Sequence, residues 1–146
     1  MRAVLRGALA GAAATVPMSA VMLALRKHMG EQPPDVITAQ AAHAVGAEPT
    51  ETEADAMASV AHLAFGAVGG AAYALLPKWG PSPLRGVLTG LGIWATAYQG
   101  WVPALEIMPP ASKDQPKRPG IMIAAHVVYG AVLGVLEENL RGRYGD

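Results

Sequence analysis

The chain has 146 residues, the length of one domain, and 52% of them are hydrophobic while only 15% are charged. Its mean hydropathy of +0.28 is high for a soluble domain of this size and favours a membrane protein. The 11 basic and 11 acidic residues leave no net charge to attract nucleic acid, and the absence of cysteine excludes disulfides and thiolate chemistry.

Four runs without charged residues follow one another along the chain, at residues 7–25, 56–77, 86–105 and 119–136. Their lengths correspond to about 27 to 33 Å of α-helix, close to the ~30 Å hydrocarbon core of a bilayer. We therefore predict an all-α membrane protein that forms one domain over residues 1–146. Its four transmembrane helices are expected at about residues 4–26, 54–77, 84–103 and 119–140.

The connection after the first predicted span contains a short helix of about ten residues, which is too short to span a bilayer. Such a helix suits an interfacial position, and Asp35 is predicted to be its N-cap. The second span then begins at a capping box, formed either by Thr50 with Glu53 or by Thr52 with Asp55.

Two pairs of segments recur in the same order in both halves of the chain. Residues 5–11 (LRGALAG) match residues 84–90 (LRGVLTG), and residues 62–70 (HLAFGAVGG) match residues 126–134 (HVVYGAVLG). Because each copy contains two spans, both copies have the same orientation, which makes a parallel repeat. We therefore predict a four-helix bundle of two repeated helical hairpins, in residues 1–78 and 79–146.

Each predicted span carries two glycines four residues apart, which places both on one face of a helix. The pairs are Gly7 and Gly11, Gly66 and Gly70, Gly86 and Gly90, and Gly130 and Gly134. Small residues allow the close backbone approach that helix packing in lipid requires. We predict that these eight glycines form helix contacts, within the bundle or between copies; the alternative is that glycine is merely common in membrane helices.

The basic residues divide almost evenly, with six on the side of the N-terminus and five on the other. This small excess predicts that both termini are cytoplasmic. Arg6 and Arg85 open the two repeats, and we expect both side chains to extend to lipid phosphates as headgroup anchors.

His62 and His126 are the candidate cofactor-binding residues. Each lies four residues before a glycine pair, and so on the helix face that meets a neighbour. Two such imidazoles, on the second and fourth helices of a bundle, could ligate a haem b iron from opposite sides or hold a metal between them, although tightly packed helices leave little room for a macrocycle. Alternatively, each imidazole hydrogen-bonds a backbone carbonyl or a hydroxyl group and fixes the helix register. The candidate hydroxyl groups belong to Thr15, Ser19, Thr96 and Tyr98.

No catalytic constellation is present, since the sequence lacks a phosphate-binding loop, a His-Glu-x-x-His motif and a Gly-x-Ser-x-Gly motif. We therefore predict a protein that is not an enzyme and has no catalytic residues, no metal ligands and no cofactor. Its expected role is a structural or accessory component of the membrane, as a homo-oligomer or a subunit of a membrane complex. The alternatives are a haem or metal carrier that uses the two histidines, and a small transporter or channel that acts as an oligomer.

Three motifs resemble those of small four-span bacterial inner-membrane proteins. They are the His-x-x-Tyr-Gly-Ala-Val-x-Gly of the last span, the Arg-Gly-x-x-x-Gly of the first, and the Pro-Asp-Val-Ile run in the first connection. Most such proteins are domains of unknown function, and the acid-resistance-associated YagU-like proteins are a looser likeness. The resemblance extends over most of the chain and implies a multi-pass protein of the bacterial inner membrane with no assigned enzyme activity.

Overall fold

The computed structural model describes residues 3–144, and in this range the chain forms helices and connecting segments without strands. The main helices are α1 (Ala3–Ala24), α2 (Pro33–Ala44), α3 (Glu51–Leu75), α4 (Ser82–Thr96) and α5 (Arg118–Tyr144). Shorter 3-10 turns lie at Arg26–His28 and Ala111–Lys113. The prediction of an all-α fold is confirmed.

Three of these helices, α1, α3 and α5, are long and apolar enough to cross a membrane by length and composition. The predicted span at residues 84–103 differs, because α4 ends at Thr96 and continues as a π-helical segment, Ala97–Trp101, and a last turn, Val102–Ala104. Pro103 gives a physical reason: it has no N–H to donate to the carbonyl four residues earlier, so the regular ladder is interrupted here.

The order of the packed helices is α3, α1, α5, α4. Helix α1 packs against both α3 and α5, and α5 packs against α4, whereas α3 and α4 hardly touch. Helix α2 lies across α3. The bundle therefore has a gap between α3 and α4, and the candidate site lies in this gap.

Glycines lie where neighbouring helix backbones come closest. A Cβ atom at Gly7, Gly11 or Gly70 would collide with the backbone of the facing helix, in the contact between α1 and α3. In the contact between α4 and α5, Gly86 faces Gly130 in the same way. If the second hairpin matched the first, in which Gly7 faces Gly70, then Gly86 would face Gly134. Helix α4 is therefore displaced along α5 by about one helical turn, compared with α1 along α3. The repeat relation between the hairpins stays a prediction.

Of the two helix starts predicted from the sequence, the structure confirms that of α3 and corrects that of α2. The capping box of Thr50 and Glu53 is confirmed: the Thr50 N–H donates to the Glu53 carboxylate at 2.8 Å, and the Glu53 N–H donates to Thr50 Oγ1 at 3.4 Å. The prediction that Asp35 caps α2 is wrong, because Gln32 is the N-cap and Pro33 takes the first helical position, which suits its fixed φ. Asp35 lies in the first turn, where burial and then the nearby Asp55 carboxylate raise its pKa.

Candidate functional site

The gap between α3 and α4 widens beneath α2 into a chamber of about 230 Å³. All five main helices line it, and nearly all of the lining is carbon. Helix α1 contributes Met18 and Met22, α3 contributes Phe65, α4 contributes Ile93, and α5 contributes Met122. Such an apolar space with few polar groups is the usual form of a small-molecule site.

His62 and His126 both line the chamber, so the structure brings the two candidate residues into one space. The His126 Nδ1 atom lies 2.8 Å from the Met122 carbonyl oxygen, and the His62 Nδ1 atom lies 3.3 Å from the Ser19 hydroxyl. Because a carbonyl only accepts, His126 Nδ1 carries the proton of that bond and Nε2 is the acceptor of the neutral ring. Each imidazole therefore bonds a partner of its own.

Metal ligands are sparse around this pair. Between Ala3 and Tyr144 no group of three or more histidine, aspartate and glutamate side chains is placed to hold a metal ion. The chamber is also smaller than the roughly 300–1,000 Å³ of pockets that hold drug-sized ligands. These dimensions suit a slender guest better than a macrocycle, while ligation of any group by the histidines stays a prediction.

Aromatic residues of the interrupted helix form the wall opposite α1. The Trp94 and Tyr98 rings stack with their centroids 6.0 Å apart, and Trp101 lies one turn further on. The Trp94 indole N–H is buried and has no hydrogen-bond partner in the described part of the chain. An unmet buried donor costs about 1–3 kcal/mol, so a guest that accepts this hydrogen bond would be favoured.

Sequence reasoning missed this aromatic wall. Its signal is the spacing of Trp94, Tyr98 and Trp101 at i, i+4 and i+7, which places three large rings on one helical face. The π-helical segment itself has no such signature, although π-helical turns occur frequently at functional sites.

Hydrogen bonds from the connection between α4 and α5 hold the chamber end in place. The Tyr98 hydroxyl donates to the Asp114 carboxylate, and Asp114 accepts from Arg118 Nη1 at 2.9 Å. Arg118 Nε then donates to the Met29 carbonyl oxygen at 2.7 Å. The connection between α1 and α2 is therefore joined to the connection between α4 and α5, and the latter to the π-helical segment.

At the opposite end of the bundle lies a second group of polar residues, which we term the basal cluster: Arg6, Tyr73, Arg85, Glu137 and Glu138. Arg6 Nη2 lies 3.0 Å from Glu137 Oε1, and the two side chains are 1% and 3% exposed. The Arg85 guanidinium lies 4.8 Å from the centroid of the Tyr73 ring.

The prediction that Arg6 and Arg85 extend outward to lipid headgroups is therefore wrong in direction. Both side chains are buried between helices, because Glu137 on α5 and Tyr73 on α3 provide partners that a reading of single spans does not reveal. Glu137 itself was not singled out from the sequence.

An open groove of about 630 Å³ follows the gap between α3 and α4 from the chamber to Arg85. Chamber and groove share four lining residues, which are Phe65, Ile93, Ala97 and Trp101. The two spaces therefore meet at these residues, which we term the shared mouth.

The chain is thus an all-helical protein with three helices of membrane-spanning length and apolarity, and with a chamber inside its bundle. Residues 1–145 match the model of a family of unknown function, DUF6789, and the chain belongs to that family. No curated protein and no solved structure matches it significantly. The expectation of a small family without assigned function is confirmed, and no match supports the likeness to YagU-like proteins.

Proposed function

We propose that this protein is a non-enzymatic, four-span integral membrane protein that binds a slender apolar molecule in the chamber. The chamber is the observation that carries this proposal, since it is an apolar space of about 230 Å³ beneath α2 that all five main helices line. Cavities of this kind accept apolar guests without any chemistry being done on them. The role that follows is that of an accessory component of the bacterial inner membrane.

The outer surface of the bundle supports a place in a bilayer. Large apolar side chains face outward along the helices, among them Val16, Val60 and Val68, each more than 60% exposed. Contiguous exposed apolar surface of this extent is rare on soluble monomers and suits contact with lipid. Residues 82–104 continue as helix through the π-helical segment, and at ~1.5 Å per residue they reach about 34 Å, enough for the fourth span.

Because the chain has no cysteine, single-cysteine variants can map the four spans. We expect Ala47→Cys and Ser112→Cys to react with a membrane-impermeant maleimide in intact cells, and Pro81→Cys and Gly142→Cys to react only after permeabilisation. All four positions are exposed to solvent in the fold. If α4 does not cross, Ser112→Cys will be protected and Gly142→Cys will react from outside, which contradicts the four-span proposal.

The polar atoms of the chamber indicate how a guest would be oriented. The Trp94 N–H is an unmet donor, and the Nε2 atoms of His62 and His126 have no hydrogen-bond partner among residues 3–144. A guest with an apolar body and one polar end would hydrogen-bond within this group of atoms and fill the remaining carbon-lined space.

Filling the chamber is expected to abolish binding of an apolar probe. In a Trp79→Phe/Trp101→Phe background, 1-bromooctane should quench the fluorescence of Trp94 saturably in detergent-solubilised protein, because Trp94 lines the chamber. Ala97→Leu places a larger side chain in the chamber and should raise the half-saturating concentration at least tenfold. Ala95→Leu adds the same side chain two residues away, on an exposed face, and should leave it unchanged. Equal, unsaturable quenching in all three proteins would contradict the binding function.

A haem or metal carrier that uses His62 and His126 is the second candidate. The observation in its favour is that both imidazoles line one chamber with Nδ1 already bonded, which is how metal-ligating histidines are commonly oriented. The small volume favours a single metal ion over haem. An absorption spectrum and a metal analysis of the purified protein decide between the candidates, since a colourless sample free of metal leaves only the apolar guest.

A further inference from the structure

We infer that the groove between α3 and α4 is a binding site for an anionic phospholipid, whose phosphate pairs with Arg85 and whose acyl chain follows the groove to the chamber. This inference rests on the proposed place of the protein in a bilayer. It concerns the groove and the basal cluster, which the apolar guest of the chamber does not require.

Arg85 is a buried cation for which residues 3–144 supply no counter-ion. It is 5% exposed, its Nε atom has no hydrogen-bond partner, and it forms no ion pair with any residue between Ala3 and Tyr144. Tyr73 is its close partner among the described residues, through the ring face and a side-chain hydrogen bond, but a neutral tyrosine supplies no charge. A buried charge without a counter-ion is unfavourable. A ligand that places an anion beside Arg85 supplies this counter-ion, and its binding is therefore favoured.

The carboxylates nearby are already engaged. Glu137 is bound to Arg6, and Glu138 accepts from the Ser82 hydroxyl and lies 3.9 Å from Arg141. Of the two buried guanidiniums of the basal cluster, Arg6 is thus paired with Glu137, while Arg85 is paired with no carboxylate of residues 3–144. The single positive charge of Arg85 matches one phosphodiester, and guanidinium groups bind phosphate through paired hydrogen bonds.

The groove resembles a phospholipid in length and in having a charged end that is followed by an apolar stretch. Arg85 lies at one end beside Trp79, an aromatic residue of the kind found at headgroup level, and the wall between Leu88 and Ala97 is largely apolar. Twelve residues separate Arg85 from Ala97, or about 18 Å along α4, slightly more than one leaflet of a ~30 Å hydrocarbon core. An acyl chain anchored at Arg85 therefore reaches the shared mouth of the chamber.

The test uses the full chain in detergent, with Trp101 as the only tryptophan (Trp79→Phe/Trp94→Phe), because Trp101 lines the shared mouth. Phosphatidylglycerol and phosphatidylcholine, each with a brominated acyl chain, serve as probes. We expect phosphatidylglycerol to quench Trp101 at a concentration at least tenfold lower than phosphatidylcholine. Inorganic phosphate at millimolar concentration should not compete. Equal quenching by the two lipids, or full competition by inorganic phosphate, would overturn the proposal, the latter in favour of a free-anion site.

Two variants separate the headgroup from the chain. Arg85→Met should abolish the preference for phosphatidylglycerol, while Arg85→Lys, which retains the charge, should retain most of it. Gly92→Leu fills open groove space without touching Arg85 and should weaken quenching by both lipids alike. If Arg85→Met does not fold, unchanged quenching in Gly92→Leu still contradicts the site.

The lipid, 1-bromooctane and labelling measurements together distinguish a failure of the phospholipid site from a failure of the proposed function. Loss of lipid preference with intact, saturable 1-bromooctane quenching in the chamber would remove the phospholipid site alone. Loss of the four-span labelling pattern would remove the bilayer setting on which both proposals depend.

Discussion

Replacing Arg6 by methionine is expected to destabilise the protein by about 3–5 kcal/mol, the usual cost of removing one partner from a buried ion pair. Arg6 and Glu137 join α1 to α5 with both side chains almost fully buried. The substitution leaves the Glu137 carboxylate between helices without that cation and without access to water. The measurement is an SDS titration in mixed micelles that follows loss of helical signal.

Two controls make this result specific. The double variant Arg6→Met/Glu137→Leu should recover most of the lost stability, because it removes both charges together. Arg141→Met breaks the pair between Arg141 and Glu138, which are 29% and 55% exposed. This variant should cost less than about 1 kcal/mol of stability. If Arg6→Met and Arg141→Met have the same effect, the buried pair does not stabilise the bundle.

Local features of the fold follow from the sequence because their causes are local. A run of about 20 uncharged residues predicts a long helix, and the helices found at α1, α3 and α5 begin and end within a few residues of the expected bounds. Thr50 and Glu53 are three residues apart, so their capping box requires no knowledge of the rest of the chain.

Features that depend on helix order could not be predicted. Arg6 and Glu137 are 131 residues apart, and their pairing is evident only once α1 is known to lie beside α5. Without a partner in view, an arginine at the end of an apolar run is expected to extend outward to lipid, whereas the side chains of Arg6 and Arg85 lie buried between helices. The one-turn displacement of α4 along α5 is equally invisible in the matched motifs, since Gly130 and Gly134 are both small.

Part of the candidate site, the two histidines, could be predicted from the sequence. His62 and His126 stand out because polar side chains are rare in apolar runs, and both line the chamber. The rest of the site could not be predicted in this way. The chamber and the unmet Trp94 N–H arise from the packing of five helices. The interruption of α4 arises from the backbone donor that Pro103 lacks.

Gly86→Ala is expected to destabilise the bundle by about 1–3 kcal/mol, as overpacking of a close helix contact does. The new Cβ atom would meet the carbonyl group of Gly130 and the backbone nitrogen of Gly134, and backbone cannot rotate aside as a flexible side chain can. Gly92→Ala is the matched control on the same helix, since a Cβ at Gly92 meets nothing within 4 Å.

The two alanine variants are compared by the same SDS titration, and they should move in opposite directions. Alanine favours helix over glycine by up to about 1 kcal/mol, so Gly92→Ala should be neutral or stabilising, while at Gly86 the collision outweighs this gain. The difference isolates the contact of α4 with α5 from helix propensity, because both variants add the same methyl group to the same helix. If both variants unfold at the same SDS concentration, α4 does not depend on close backbone approach at Gly86, and the register with Gly130 is set elsewhere, through the Ser82 and Glu138 hydrogen bond at the helix end.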